Sequence, residues 1–143
     1  MRFSKSKLLA AFIAVVLLTH VVRSQNKSQV EQEIFPDGAI VKIDLPSRLS
    51  RSAQSGEALF EENCATCHGL NAVGKRDIGP PLVHKIYEPN HHGDESFQLA
   101  VVRGVRAHHW KFGSMPAIEG LSRERVAEIT LYIRELQRAN NIF

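Results

Sequence analysis

The clearest chemistry in this 143-residue chain lies in Cys64-Ala65-Thr66-Cys67-His68. Two thiols three positions apart sit about one helical turn apart, a spacing that suits them to capture the two vinyl groups on one edge of a haem. The histidine next in line then reaches the iron from one face. C-x-x-C-H is the attachment pattern of a c-type haem. Two rival chemistries fit less well. A thioredoxin-type dithiol opens a helix after a strand in a βαβ unit, whereas this motif closes a predicted helix. A tetrahedral zinc site needs two further ligands at suitable spacing, and the chain has no other cysteine.

A haem iron held by His68 on one side needs a ligand on the other. Met115 is the only methionine besides Met1. It lies in a loop, Gly113-Ser114-Met115-Pro116, between two predicted helices, where a thioether is better placed for iron than for core packing. The rivals are His84, His91, His92, His108 and His109, and a His/His pair would give a lower reduction potential than His/Met. Arg103, Arg106 and Trp110 lie near the same loop and offer donors to buried carboxylates such as haem propionates. The arginines fit a solvated face as well. The pairs His91-His92 and His108-His109 have the chemistry of a transition-metal or titrating site. Adjacent histidines point apart, however, so surface histidine is the preferred reading.

These residues must be carried by helices. The sequence predicts a first helix over 52–67, capped by Ser52 or Ser55, with Glu57 at its positive end. Gly69 stops it just past the motif. Residues 69–93 hold Gly74, Gly79, Pro80, Pro81, Pro89 and Gly93 and read as a long functional loop. Asp94 caps a short helix from Glu95 to Arg103, and Gly104 ends it. A second loop covers 105–120. Ser122 caps the last helix, with Glu124 in its first turn. There Val126, Ile129, Ile133 and Leu136 form one apolar stripe, flanked by Tyr132.

The formal charge of +3 is misleading. Arg2, Lys5, Lys7 and Arg23 fall in the first 24 residues, where no acid occurs; removing them leaves 14 basic residues against 15 acidic, a net −1. Nucleic-acid binding gets no support. Residues 1–24 read as a signal peptide or signal anchor, with a basic n-region and an apolar run from Leu8 to Leu18 that is short for a membrane span. Cleavage after Ser24 is preferred; the alternative is an uncleaved anchor over 8–22. Residues 25–51 read as an N-terminal arm with a turn at Pro36-Asp37-Gly38 and strand-like alternation at Val41, Ile43 and Leu45. Residues 52–143 are the expected functional domain.

Together these features resemble the class I c-type cytochromes, small monohaem electron carriers. The resemblance covers about residues 53–140. It rests on the Cys64–His68 motif, on Gly79-Pro80-Pro81-Leu82, on Gly113-Ser114-Met115-Pro116 and on the closing helix with Tyr132. It implies an all-α, cytochrome c-like orthogonal helix fold wrapped around one covalently attached haem c, here with a non-helical N-terminal arm. It implies His68 and Met115 as axial ligands, with the Pro80 carbonyl accepting a hydrogen bond from His68 Nδ1. It also implies a close crossing of the first and last helices, here Gly56 and Phe60 against Ile129 and Tyr132. The stretch between His68 and Met115 is shorter than in mitochondrial-type members, which implies a more open propionate side.

The expected function is one-electron transfer by an exported, periplasmic protein that is not itself an enzyme, exchanging electrons with donor and acceptor proteins through weak docking. The alternatives are a haem c subunit or docking module of a larger periplasmic oxidoreductase and, less favoured, a haem enzyme with an open distal position. Gas binding is disfavoured because the motif opens the domain.

Overall fold

The computed structural model describes residues 15–24 and 38–143. The basic n-region, the first half of the apolar run, the Ser24–Gln25 junction and the arm up to Asp37 lie outside the described residues. Residues 15–24 are helical, α1. No helix among the described residues is long and apolar enough to cross a membrane. The second compact unit runs from Gly38 to Phe143.

This unit is built on four helices: α2 (Arg51–Asn63), α3 (Ala65–His68), α4 (Asp94–Arg103) and α5 (Arg123–Ala139), with 3₁₀ turns at Leu70–Ala72 and Lys85–Tyr87. The described residues contain no strand, only isolated bridges at Lys75–Gly79 and Val105–Met115. The all-α expectation therefore holds.

The core forms where α2 meets α5. Phe60 and Tyr132 are fully buried, and their rings pack tilted with centroids 5.7 Å apart. Gly56 permits the approach: a Cβ there would lie 2.0 Å from the Glu128 carbonyl oxygen. The stripe Val126, Ile129, Ile133 and Leu136 is buried along its length, as its spacing requires. Ser122 caps α5 by accepting from the Arg125 amide, and Gly104, in left-handed conformation at φ 70°, ends α4. Both follow the expected capping chemistry.

Three local expectations are corrected. The expected helix over 52–67 is two helices, because Cys64 leaves helical geometry (φ −124°, ψ −33°) between α2 and α3. The cap of α2 is Ser50 rather than Ser52 or Ser55: Ser50 has the extended backbone a cap needs and accepts from the Ala53 amide. Ser55 instead donates to Glu128 on α5 at 2.8 Å, and Glu57 lies beyond the first turn. Asp94 is the first residue inside α4, after the Gly93 cap, and its carboxylate takes the Arg134 side chain at 2.8 Å.

The strand-like pattern at 41–45 forms no strand. The Ile40 and Val41 amides both donate to one carbonyl, Val73, so no ladder can start. Ile43 is buried while Leu45 is 46% exposed. The Asn140 side chain clamps the segment, with Oδ1 accepting from the Asp44 amide and Nδ2 donating to the Asp44 carbonyl. Residues 38–50 of the expected arm thus lie on the helical unit as irregular chain.

Candidate haem site

The kink at Cys64 and the Gly69 stop turn the motif into a compact corner. Gly69, at φ 72°, donates back to Ala65 and sends the chain round, so that the Gly74 amide bonds the His68 carbonyl at 2.7 Å. The chain then returns past Gly79, whose missing side chain is essential: a Cβ there would stand 2.4 Å from the Cys67 carbonyl oxygen. That close pass delivers Pro80 to the imidazole. His68 Nδ1 lies 2.9 Å from the Pro80 carbonyl oxygen. A carbonyl only accepts, so Nδ1 carries the proton and Nε2 keeps its lone pair for a metal. Burial pushes His68 below the usual histidine range, against a smaller opposing pull from Pro80, which favours the neutral, ligating imidazole.

His68 and Pro80 border a cavity of about 340 Å³, the size of a site for a sizeable organic group. Apolar side chains from α4 and α5 form much of its wall, including Phe97, Val101, Val126, Ile129 and Ile133. Cys64, Met115, Trp110 and Arg103 also line it. Met115 is held by its backbone. It exchanges two hydrogen bonds of 2.9 Å with Val105, closing the loop between them. Gly104 allows this closure, since a Cβ there would lie 2.5 Å from the Met115 carbonyl oxygen.

The sequence-derived candidates divide clearly. Cys64, His68, Pro80, Arg103, Trp110 and Met115 share the cavity. Cys67 is exposed beside it, one turn from Cys64. Arg106 is exposed and off the cavity wall; it contributes its carbonyl to His108 Nδ1 at 2.8 Å. The Trp110 indole N–H is buried and faces the Tyr87 hydroxyl without closing a well-formed hydrogen bond. It therefore remains a donor for a carboxylate entering the cavity.

Sequence reasoning missed Arg134 and Gln137, which frame this cavity from behind. Both are buried on α5. Arg134 donates to the carbonyls of Tyr87 and His92, and Gln137 Nε2 to those of Leu82 and Tyr87. Leu82, Tyr87 and His92 are cavity-lining residues, so these two side chains fix the 82–93 wall. The available signal was the row Thr130, Arg134, Gln137, at helical steps of 4 and 3 beside the apolar stripe. Its polar residue types read instead as a solvated face.

Burial pushes the Cys64 thiol up to about 11, with Cys67 adding to the shift. Cys64 is then a neutral thiol at physiological pH. A reactive dithiol requires the opposite, a thiol whose pKa is lowered. An imidazole with a free Nε2, an adjacent thiol pair and an apolar cavity bordered by a thioether form a donor set that fits a covalently tethered haem.

The family model for Cytochrome c matches residues 53–137. The chain belongs to the cytochrome c family. Its cofactor is accordingly a covalently bound haem c and its chemistry electron transfer. Among curated relatives, this cytochrome is 35% identical over 94 residues to the Cbb3-type cytochrome c oxidase subunit FixP of Bradyrhizobium sp. (strain ORS 278), covering 64% of the chain and 30% of the relative. It is 35% identical over 85 residues to FixPc of Rhizobium leguminosarum bv. viciae, covering 59% and 28%. It is 30% identical over 105 residues to the CcoP subunit of Azospirillum brasilense, covering 68% and 32%. The chain thus spans about a third of the length of these relatives. No solved structure matches the chain at a significant level.

Proposed function

We propose that this cytochrome is an exported one-electron relay that serves as a haem c subunit or docking module of a larger oxidoreductase, not as its catalyst. The site assignment rests above all on one observation, the His68 Nδ1 bond to Pro80 that leaves Nε2 free at a cavity shared with Met115. In this reading Cys64 and Cys67 would form the two thioether links to the haem, and His68 and Met115 would hold its iron. When bound, the haem supplies one iron that changes oxidation state by a single electron.

The protein's own contribution is to hold its ligands still. Pro80 fixes the His68 ring and raises its basicity. The Met115 thioether favours the ferrous state and raises the potential. The apolar wall keeps water away, and Trp110 and Arg103 offer donors to propionates. With both donors on the iron, the haem would have no free position for oxygen chemistry. The arm over 25–51 and the signal or anchor over 1–24 complete the proposed organisation around the domain at 52–143.

The relatives are named as oxidase subunits, and this favours a partner-bound role over a free carrier. Pull-down of the tagged full chain from native membranes and from the soluble fraction, in mild detergent, tests that choice. The expected result is recovery with other redox subunits in fixed ratio. Recovery as a monomeric holoprotein from the soluble fraction alone would favour the freely diffusing carrier.

A further inference from the structure

Two histidine pairs that the sequence keeps sixteen residues or more apart meet at one edge of the haem cavity. The turn ending α4's approach brings His91 and His92; the loop leading to Met115 brings His108 and His109. His91 Nε2 and His109 Nε2 stand 3.3 Å apart. The His92 ring lies 4.7 Å from that of His91 and 5.2 Å from that of His109, centroid to centroid. One nitrogen from each of His91, His92 and His109 falls within 4.8 Å of the others. The objection that adjacent histidines point apart is met by geometry, because each pair contributes toward the other.

We propose that His91, His92 and His109 bind one zinc-class divalent cation at the rim of the cavity. Two imidazole nitrogens on a tetrahedral zinc, each roughly 2.0–2.1 Å from the metal, lie about 3.3–3.4 Å apart. The His91–His109 separation, which is also a hydrogen-bonding distance, matches that spacing. The hydrogen bonds around the cluster also prepare it. His92 Nδ1 lies 2.6 Å from the Ile86 carbonyl, so it carries the proton and Nε2 is left to ligate. Binding imidazoles commonly have such a backbone partner on the second nitrogen. His108 holds the Arg106 carbonyl through Nδ1 and lies tilted against His109, 4.2 Å between ring centres, outside the three-histidine group, so a water would complete the coordination.

Imidazole nitrogen suits zinc, copper and nickel, and no carboxylate is part of the cluster, which disfavours calcium and magnesium. The bound ion would tie the 88–92 turn to the 105–112 loop across the cavity mouth.

The test is calorimetric titration of Zn²⁺ into oxidised, haem-loaded full-length protein in a non-coordinating buffer. The visible spectrum monitors the fold and iron ligation throughout. One equivalent is expected to bind, at micromolar or tighter dissociation constant. His91→Ala and His109→Ala should each weaken binding by about tenfold or more, with the haem spectrum unchanged. Both residues are exposed, so the variants should fold. Absence of saturable binding by the parent protein would overturn the proposal, and so would equal binding by the His91→Ala/His109→Ala double variant.

Discussion

The smallest unit of this protein's chemistry is a histidine whose two nitrogens have different tasks. Pro80 occupies Nδ1 of His68 at 2.9 Å, and the other nitrogen is left to the cavity. The acid response follows. Burial holds His68 below its ordinary value of 6.5. A group with a depressed folded pKa contributes its full stability above the unfolded value and loses it as pH falls through the folded value. For His68 this means an imidazole that is neutral and able to ligate at pH 6.5 and above, and that iron on Nε2 would shield from the proton further below it. An acid titration of the holoprotein, followed through its haem absorption, should show that order. Loss of the ligated spectrum already above pH 6.5 would contradict it. At this scale the motif was legible in full, since spacing alone defines C-x-x-C-H. The role of Pro80 came only through family resemblance, because a backbone carbonyl has no sequence signature of its own.

Elements place these residues through close backbone approaches, and glycine makes them possible. At Gly56 a methyl group would sit 2.0 Å from the Glu128 carbonyl oxygen. Gly56→Ala therefore sets two effects against each other. Alanine gains about 1 kcal/mol of helix propensity. Forcing the packed helices apart costs typically 1–3 kcal/mol and sometimes more. At 2.0 Å the clash is with backbone, which no rotamer change can relieve, so net destabilisation is expected. A thermal melt of Gly56→Ala at or above the parent midpoint would refute the tight crossing.

The start of α5 and the stop of α4 were readable because caps follow local chemistry. The start of α2 was not. Three serines compete at 50, 52 and 55, and tertiary packing onto Glu128 decided what Ser55 does. The strand-like alternation at 41–45 failed for a related reason. A period of two needs a partner strand to become a ladder, and Val73 offers one carbonyl instead.

On the scale of the whole molecule, long-range polar bonds hold the irregular 82–93 segment that walls the cavity. Arg134 is central: 5% exposed, it bonds the Tyr87 carbonyl and the Gln137 side chain at 2.6 Å each and the Asp94 carboxylate at 2.8 Å. It also lies 5.0 Å from the centre of the Phe97 ring. Asp94 itself is largely exposed, so the carbonyl bonds matter more than the ion pair. Arg134→Met should cost about 2–3 kcal/mol, because hydrogen bonds from a charged donor to buried acceptors are lost. For a unit of this size that corresponds to a drop of roughly 10–20 °C in melting midpoint. A change under about 3 °C would mean the wall is held by other contacts. This network was not legible in the sequence, and of the three-histidine cluster only the two separate pairs were, not their meeting. Both depend on residues brought together over separations of 16 or more, and polar side chains give no sign of their partners in advance.

His68 and Met115 are proposed to hold the haem iron between them, and optical spectroscopy of ferric holoprotein tests that pairing. A weak thioether-to-iron charge-transfer band is expected at the red edge of the visible spectrum near neutral pH. Met115→Ala should abolish that band, lower the reduction potential and open the iron to carbon monoxide, while leaving the haem covalently attached. A band that survives in Met115→Ala, or a parent spectrum that lacks it and changes only when one of the cavity-rim histidines is replaced, would contradict the assignment.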